Sequence, residues 1–113
     1  MGAEQFWTVG FGKTAKDAFQ IAREEAAFSY GHSGYTGSIA EKNNYIMIPL
    51  PKGKNANDYI DELFEKEDPR IDDKWGPAGC IDITKEVKKD YKAKKKRWPR
   101  GKSAFLFFGW ASS

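Results

Sequence analysis

The residues with the greatest capacity for chemistry lie in one run, Lys85 to Lys102, KEVKKDYKAKKKRWPRGK. It holds ten Lys/Arg against two acids, Glu86 and Asp90, a local net charge of +8. The whole chain of 113 residues is +3, so the other 95 sum to −5. Tyr91 and Trp98 are interleaved with the cations. Apolar segments flank the run, GCIDI before and SAFLFFGW after, and make it a connection inside a folded domain. A concentrated positive field beside aromatic rings suits a phosphate-bearing partner, because cations neutralise phosphates and rings stack on bases. For nucleic acid, Lys88, Lys89, Lys92, Lys94, Lys95, Lys96, Arg97 and Arg100 are the expected phosphate contacts, with Trp98 or Tyr91 on a base. The plainer reading is a lysine-rich solvated helix.

A second stretch, GHSGYTGS at residues 31 to 38, has three glycines in seven positions. Such a loop can take positive φ and aim successive backbone N–H groups at one anion. His32, Ser33, Gly34, Tyr35, Thr36 and Gly37 are its candidate ligand contacts, with Lys42 close behind. A nucleotide held there would set its base against Trp75 or Tyr35. The context of a Walker A loop or a dinucleotide fingerprint is missing, since no strand leads into the stretch. A structural crossover is the alternative reading.

Catalysis finds little support. His32 and Cys80 could form a nucleophile–base pair, with Tyr35 or Asp82 assisting, but no signature surrounds either residue. An inert buried cysteine and a loop histidine explain them better, so the chain is expected not to be an enzyme and to need no cofactor. One cysteine excludes an internal disulfide and leaves a metal cluster without partners. No run of about 18 apolar residues and no secretory signal are seen, so a cytoplasmic protein without a membrane partner is expected.

The elements that must position these groups follow from periodicity. Gln5 to Phe11 reads as a strand, bounded by Gly10 and Gly12. Thr14, with Asp17 three residues on, caps a helix running to about Tyr30, whose inward stripe is Ala15, Phe19, Ala22 and Ala26; Gly31 suits its C-cap. Ser38 to Glu41 can cap one short turn. Asn44 to Leu50, NYIMIPL, is apolar on both alternating faces and predicts a strand in the middle of a sheet. Asn57 is the expected cap of a second helix, Asp58 to about Glu67, with Tyr59, Ile60, Leu63 and Phe64 inward and Asp61, Glu62, Glu65 and Glu67 facing solvent. Trp75 sits in an irregular segment as a core lid or a pocket wall. A third strand spans Cys80 to Ile83, and Thr84 caps a third helix carrying a thin seam of Val87, Tyr91 and Trp98. Phe105 to Trp110 is the last strand, with Gly109 at a bulge or a close approach.

The order β-α-β-α-β-(α)-β in a single domain, residues 1 to 113, predicts an α+β fold. The expected architecture is a small mixed four-stranded sheet with two to three helices packed on one face, opening with a β-α-β crossover of parallel strands.

The stretches GHSGYTGSIAEK (31 to 42) and KWGPAGC (74 to 80), with the FFGWA ending, resemble patterns in small uncharacterised proteins encoded by bacteriophages. The likeness covers about a third of the chain. It implies a host-cytoplasm setting and action by binding: to nucleic acid, to a host protein, or to a signalling nucleotide of host defence. The functional expectation is a non-enzymatic binder of a phosphate-rich ligand, nucleic acid or nucleotide. The alternative is a protein–protein module that inhibits a host protein through its acidic helix or its cationic segment.

Overall fold

The computed structural model describes residues 2–30 and 36–113. Strands β1 (Ala3–Gly12), β2 (Tyr45–Met47), β3 (Ala78–Asp82) and β4 (Ser103–Ser112) form one mixed sheet in the order β1-β4-β3-β2. Helices α1 (Ala15–Tyr30), α2 (Ala56–Glu65) and α3 (Thr84–Ala93) alternate with them, and a 3-10 turn spans Ile39–Glu41. The fold is α+β in the expected order. β4 runs antiparallel to both β1 and β3, and β2 is parallel to β3. β1 and β2 therefore point the same way, but at opposite edges of the sheet.

The middle of the sheet belongs to β4, and NYIMIPL is an edge. Along β4, Phe105, Phe107 and Ala111 enter one core cluster while Ala104, Leu106 and Phe108 enter the other. Phe107 and Phe108 are both fully enclosed, and each such ring contributes about 1.5–3 kcal/mol. β2 pairs over three residues, and Ile48 N–H still reaches Cys80 O at 2.8 Å; in this register position 49 faces away from β3, so Pro49 leaves the open edge without a donor there for a further strand. Ile46 and Met47 are left 38% and 47% exposed.

The helices pack on both faces, which corrects the expectation of one. α1 brings Ala18, Phe19 and Ala22 against Phe6, Cys80 and Phe107. α2 brings Ile60, Leu63 and Phe64 against Ile81, Leu106 and Phe108. A strand whose two faces are both apolar needs cover on both sides, and β4 receives it from these two helices.

α1 starts where its cap predicts: Asp17 N–H bonds Thr14 Oγ1 at 3.2 Å. Its alanines allow close docking, and Gly12 completes the fit, since a Cβ there would stand 2.6 Å from Ala18 N. α2 starts earlier than expected, because Asn55 rather than Asn57 is the cap: its side chain accepts the Asn57 N–H at 2.8 Å. Gly109 lies in an unbroken ladder opposite Phe6, so no bulge forms there, and its φ of 152° suits glycine alone.

Candidate nucleic-acid interface

The start of α3 is stitched to the sheet. Asp82 Oδ1 accepts the Thr84 N–H at 2.9 Å and the Thr84 hydroxyl at 2.6 Å, while Thr84 Oγ1 accepts the Ala104 N–H at 3.0 Å. The N-cap position is Ile83, whose side chain makes no bond to the helix, and Asp82 before it satisfies the N–H of Thr84, the residue expected to cap. The inward seam of α3 is thin, consisting of half-buried Val87 and Tyr91. The helix ends after Ala93 in a Schellman arrangement: Lys96 N–H bonds Tyr91 O at 2.8 Å and Lys95 N–H bonds Lys92 O at 3.2 Å. Lys95 takes the left-handed position that glycine usually fills, at φ 57°.

From there the chain folds back. The Trp98 ring lies 5.1 Å from that of Tyr91 and 5.7 Å from that of Phe11 on β1, both edge-on. Its Nε1–H donates to Lys102 O at 2.9 Å. A turn from Pro99 to Lys102, closed by Lys102 N–H to Pro99 O at 3.3 Å, uses Gly101 at φ 71°. Tyr91 and Trp98 thus clamp the cationic segment onto the sheet, where a ring offered entirely to a base was expected. Lys88 Nζ stands 5.4 Å from the Trp98 centroid and Lys96 Nζ 5.7 Å from that of Tyr91.

The clamp displays charge. All ten cations of the run, the predicted contacts Lys88, Lys92, Lys95, Arg97 and Arg100 among them, are solvent exposed. The two acids of the run do little to neutralise them. Asp90 pairs with Lys94 at 3.3 Å, and Glu86 is turned toward α2, accepting the Ala56 N–H at 3.3 Å. Among the described residues, no other cation of the run has a carboxylate within ion-pair distance.

One ring that sequence reasoning left without a role borders this surface. Phe11, Val9 and Trp7 share the α2–α3 face of β1; Phe11 is held by the clamp, while Val9 is 44% and Trp7 62% exposed. Trp7 lies about 13 Å from Phe11 at the rise of a strand. The signal was present in the alternation, which sets Trp7 opposite in face to buried Phe6, but it becomes legible only once β1 is known to be an edge that α2 does not cover.

The other predicted site residues lie elsewhere. His32, Ser33, Gly34 and Tyr35, like the Gly31 cap, fall outside the described residues. In the neighbouring stretch, donors expected to point at an anion serve the fold. Thr36 N–H and hydroxyl both go to Glu41 Oε2, at 3.1 and 2.8 Å, and Gly37 N–H goes to Ser112 O at 2.8 Å. Lys42 is 1% exposed, its ammonium donating to the carbonyls of Gly76, Lys74 and Asp73 at 3.0, 3.2 and 3.4 Å. Burial lowers its pKa to about 8, against the opposing pull of Asp73. Lys42 is thereby the post around which the 73–76 loop is wound, and it is not available to an anion. That loop carries Trp75 outward, 65% exposed with Lys74 Nζ 5.2 Å from its centroid. Cys80 is wholly enclosed at the β3–β4 centre, and burial pushes its thiol up to about 12, which makes it a packing group.

Among the described residues, no group of three or more His, Cys, Asp or Glu is placed to hold a metal ion, and no helix is long and apolar enough to cross a membrane. No protein-family model, curated protein or solved structure matches the chain.

Proposed function

We propose that the chain is a non-enzymatic nucleic-acid-binding protein whose contact surface is the clamped segment from Lys85 to Lys102. The observation that carries this reading is the exposure of ten cations on 18 residues, nine of them without a carboxylate partner among the described residues. Like charges so concentrated repel one another, and a polyanion relieves that repulsion while releasing its own counterions. A merely solvated helix would gain from interleaved acids, whereas here one of the two acids is turned away to α2. Lys88, Lys92, Lys95, Arg97 and Arg100 contact phosphates in this account. Base stacking passes from Trp98, whose ring is engaged, to the open Trp7.

The resemblance to small phage proteins extends the proposal to a host-takeover or counter-defence role in the host cytoplasm. The test is a triple variant, Lys92→Gln/Arg97→Gln/Arg100→Gln, which spares Lys88 and Lys96, the two cations that stand over the clamp rings. Its affinity for a labelled oligonucleotide should fall by at least about tenfold, with an unchanged melting temperature. Wild-type binding by the variant, or binding by neither protein, would turn attention to a protein partner for this face.

A further inference from the structure

The opposite face of the sheet carries a second feature that the cationic segment does not explain. A cleft of about 710 Å³ opens between α1 and the residues leading into β2. That volume lies in the range of small-molecule sites. Its aromatic floor is Phe19 and Tyr45, 5.0 Å apart, each also braced against the ring of Phe107, at 5.5 and 6.0 Å. Phe107 is fully enclosed, so the floor is rigid.

The walls are unbalanced in their hydrogen bonding. Lys16 and Arg23 stand seven residues apart on α1, two turns along one face, and both line the cleft. The two carboxylates that share it have partners: Glu24 accepts from Gln20 Nε2 at 3.3 Å, and Glu41 is taken up by Thr36. Neither cation has a carboxylate within ion-pair distance among the described residues. Arg23 Nε is sealed from solvent with no acceptor among the described residues, while its guanidinium carbon stands 5.8 Å from the Phe19 centroid. An enclosed donor without an acceptor is rare in folded proteins and marks a missing partner. Asn43 and Asn44, both exposed on the facing wall, add amide donors and acceptors.

We infer that this cleft between α1 and β2 binds a small anion bearing a flat ring, of the nucleoside monophosphate class. Arg23 and Lys16 take the phosphate, the former through the planar fork that matches phosphate oxygens. The ring lies against half-buried Tyr45, which Phe19 backs from within the core, and Asn43 or Asn44 meets its polar edge. This site is independent of the clamped segment, which lies on the other side of the sheet.

The test is calorimetric titration of the full chain with adenosine and guanosine 5′-monophosphate, alongside adenosine and inorganic phosphate as half-ligands. At least one monophosphate should bind with a Kd below about 1 mM. Its nucleoside alone and phosphate alone should each bind about tenfold more weakly or worse. Arg23→Gln should weaken the monophosphate by about tenfold or more without lowering the melting temperature, because it removes an enclosed donor that has no acceptor. If Arg23→Gln folds poorly, Lys16→Gln on the exposed rim carries the same expectation. The Lys92→Gln/Arg97→Gln/Arg100→Gln variant should bind the monophosphate as the wild type does. The inference is overturned if neither monophosphate binds, if the rim and Arg23 variants bind like wild type, if a half-ligand binds as well as the whole, or if the triple variant loses binding.

Discussion

Lys95 holds a position that helix termini ordinarily give to glycine, at φ 57°, and a side chain there costs about 1–2 kcal/mol. The cost makes physical sense if a cation is wanted at that point of the surface. Lys95→Gly should therefore raise stability by about 0.5 kcal/mol, the relieved strain less the extra entropy that glycine loses on folding. It should also weaken nucleic-acid binding and flatten its salt slope by about 0.7 if Lys95 contacts one phosphate. Chemical denaturation and a salt titration of the variant check both halves. Cys80 is the opposite kind of residue, enclosed and with its thiol pushed up to about 12. A thiol reagent should modify it only as fast as the chain unfolds, and Cys80→Ala should cost about 1–2 kcal/mol in thermal or chemical denaturation. Rapid modification of the native protein would show that the β3–β4 centre opens.

At the scale of elements, the clamp is what turns a basic sequence into a basic surface. Trp98→Ala removes two edge-on ring contacts and the bond to Lys102 O, and should cost about 2–3 kcal/mol for a half-buried ring. Trp98→Phe keeps the ring contacts and should lose only about 1 kcal/mol, the worth of that hydrogen bond. Equal melting temperatures for wild type and Trp98→Ala would contradict the clamp. The seam of Val87 and Tyr91 was legible because their spacing of four matches a helix. Pro99 disfavours a helical Trp98, but where the helix stops was not legible: Lys94 to Arg97 are good helix formers, and the stop falls on a left-handed lysine with no local signature. The α1 cap and stripe were legible for the same local reason, as Thr14 and its alanines act within one element. NYIMIPL misled because apolar residues on both faces describe a buried strand, yet it pairs over three residues only and Pro49 withholds a donor from its outer side, which suits an edge.

At the scale of the molecule, strand order was beyond reading. It depends on β1 reaching across to β4, a pairing of residues about 100 apart in the chain, from Ala3 with Ser112 to Gly12 with Ser103. That long-range pairing makes β1 an edge and leaves Trp7 open beside the clamped cations. Charge is partitioned as well, since the segment from Lys85 to Lys102 carries +8 and the rest of the chain −5. Much of the acid sits on α2, where Asp61 and Glu65 are exposed and Glu62 is held down to about 2 by its bonds to Lys54 and Lys66. A polyanion should therefore approach from the α3 side. The most direct measurement of the central claim is the affinity of the intact chain for a labelled single-stranded oligonucleotide, followed by fluorescence anisotropy from about 50 to 200 mM KCl. Five phosphate contacts out of ten available cations predict a log–log slope of about −3.5 and a loss of about a hundredfold across that range. A slope near zero, or no binding at the lowest salt, would contradict the account.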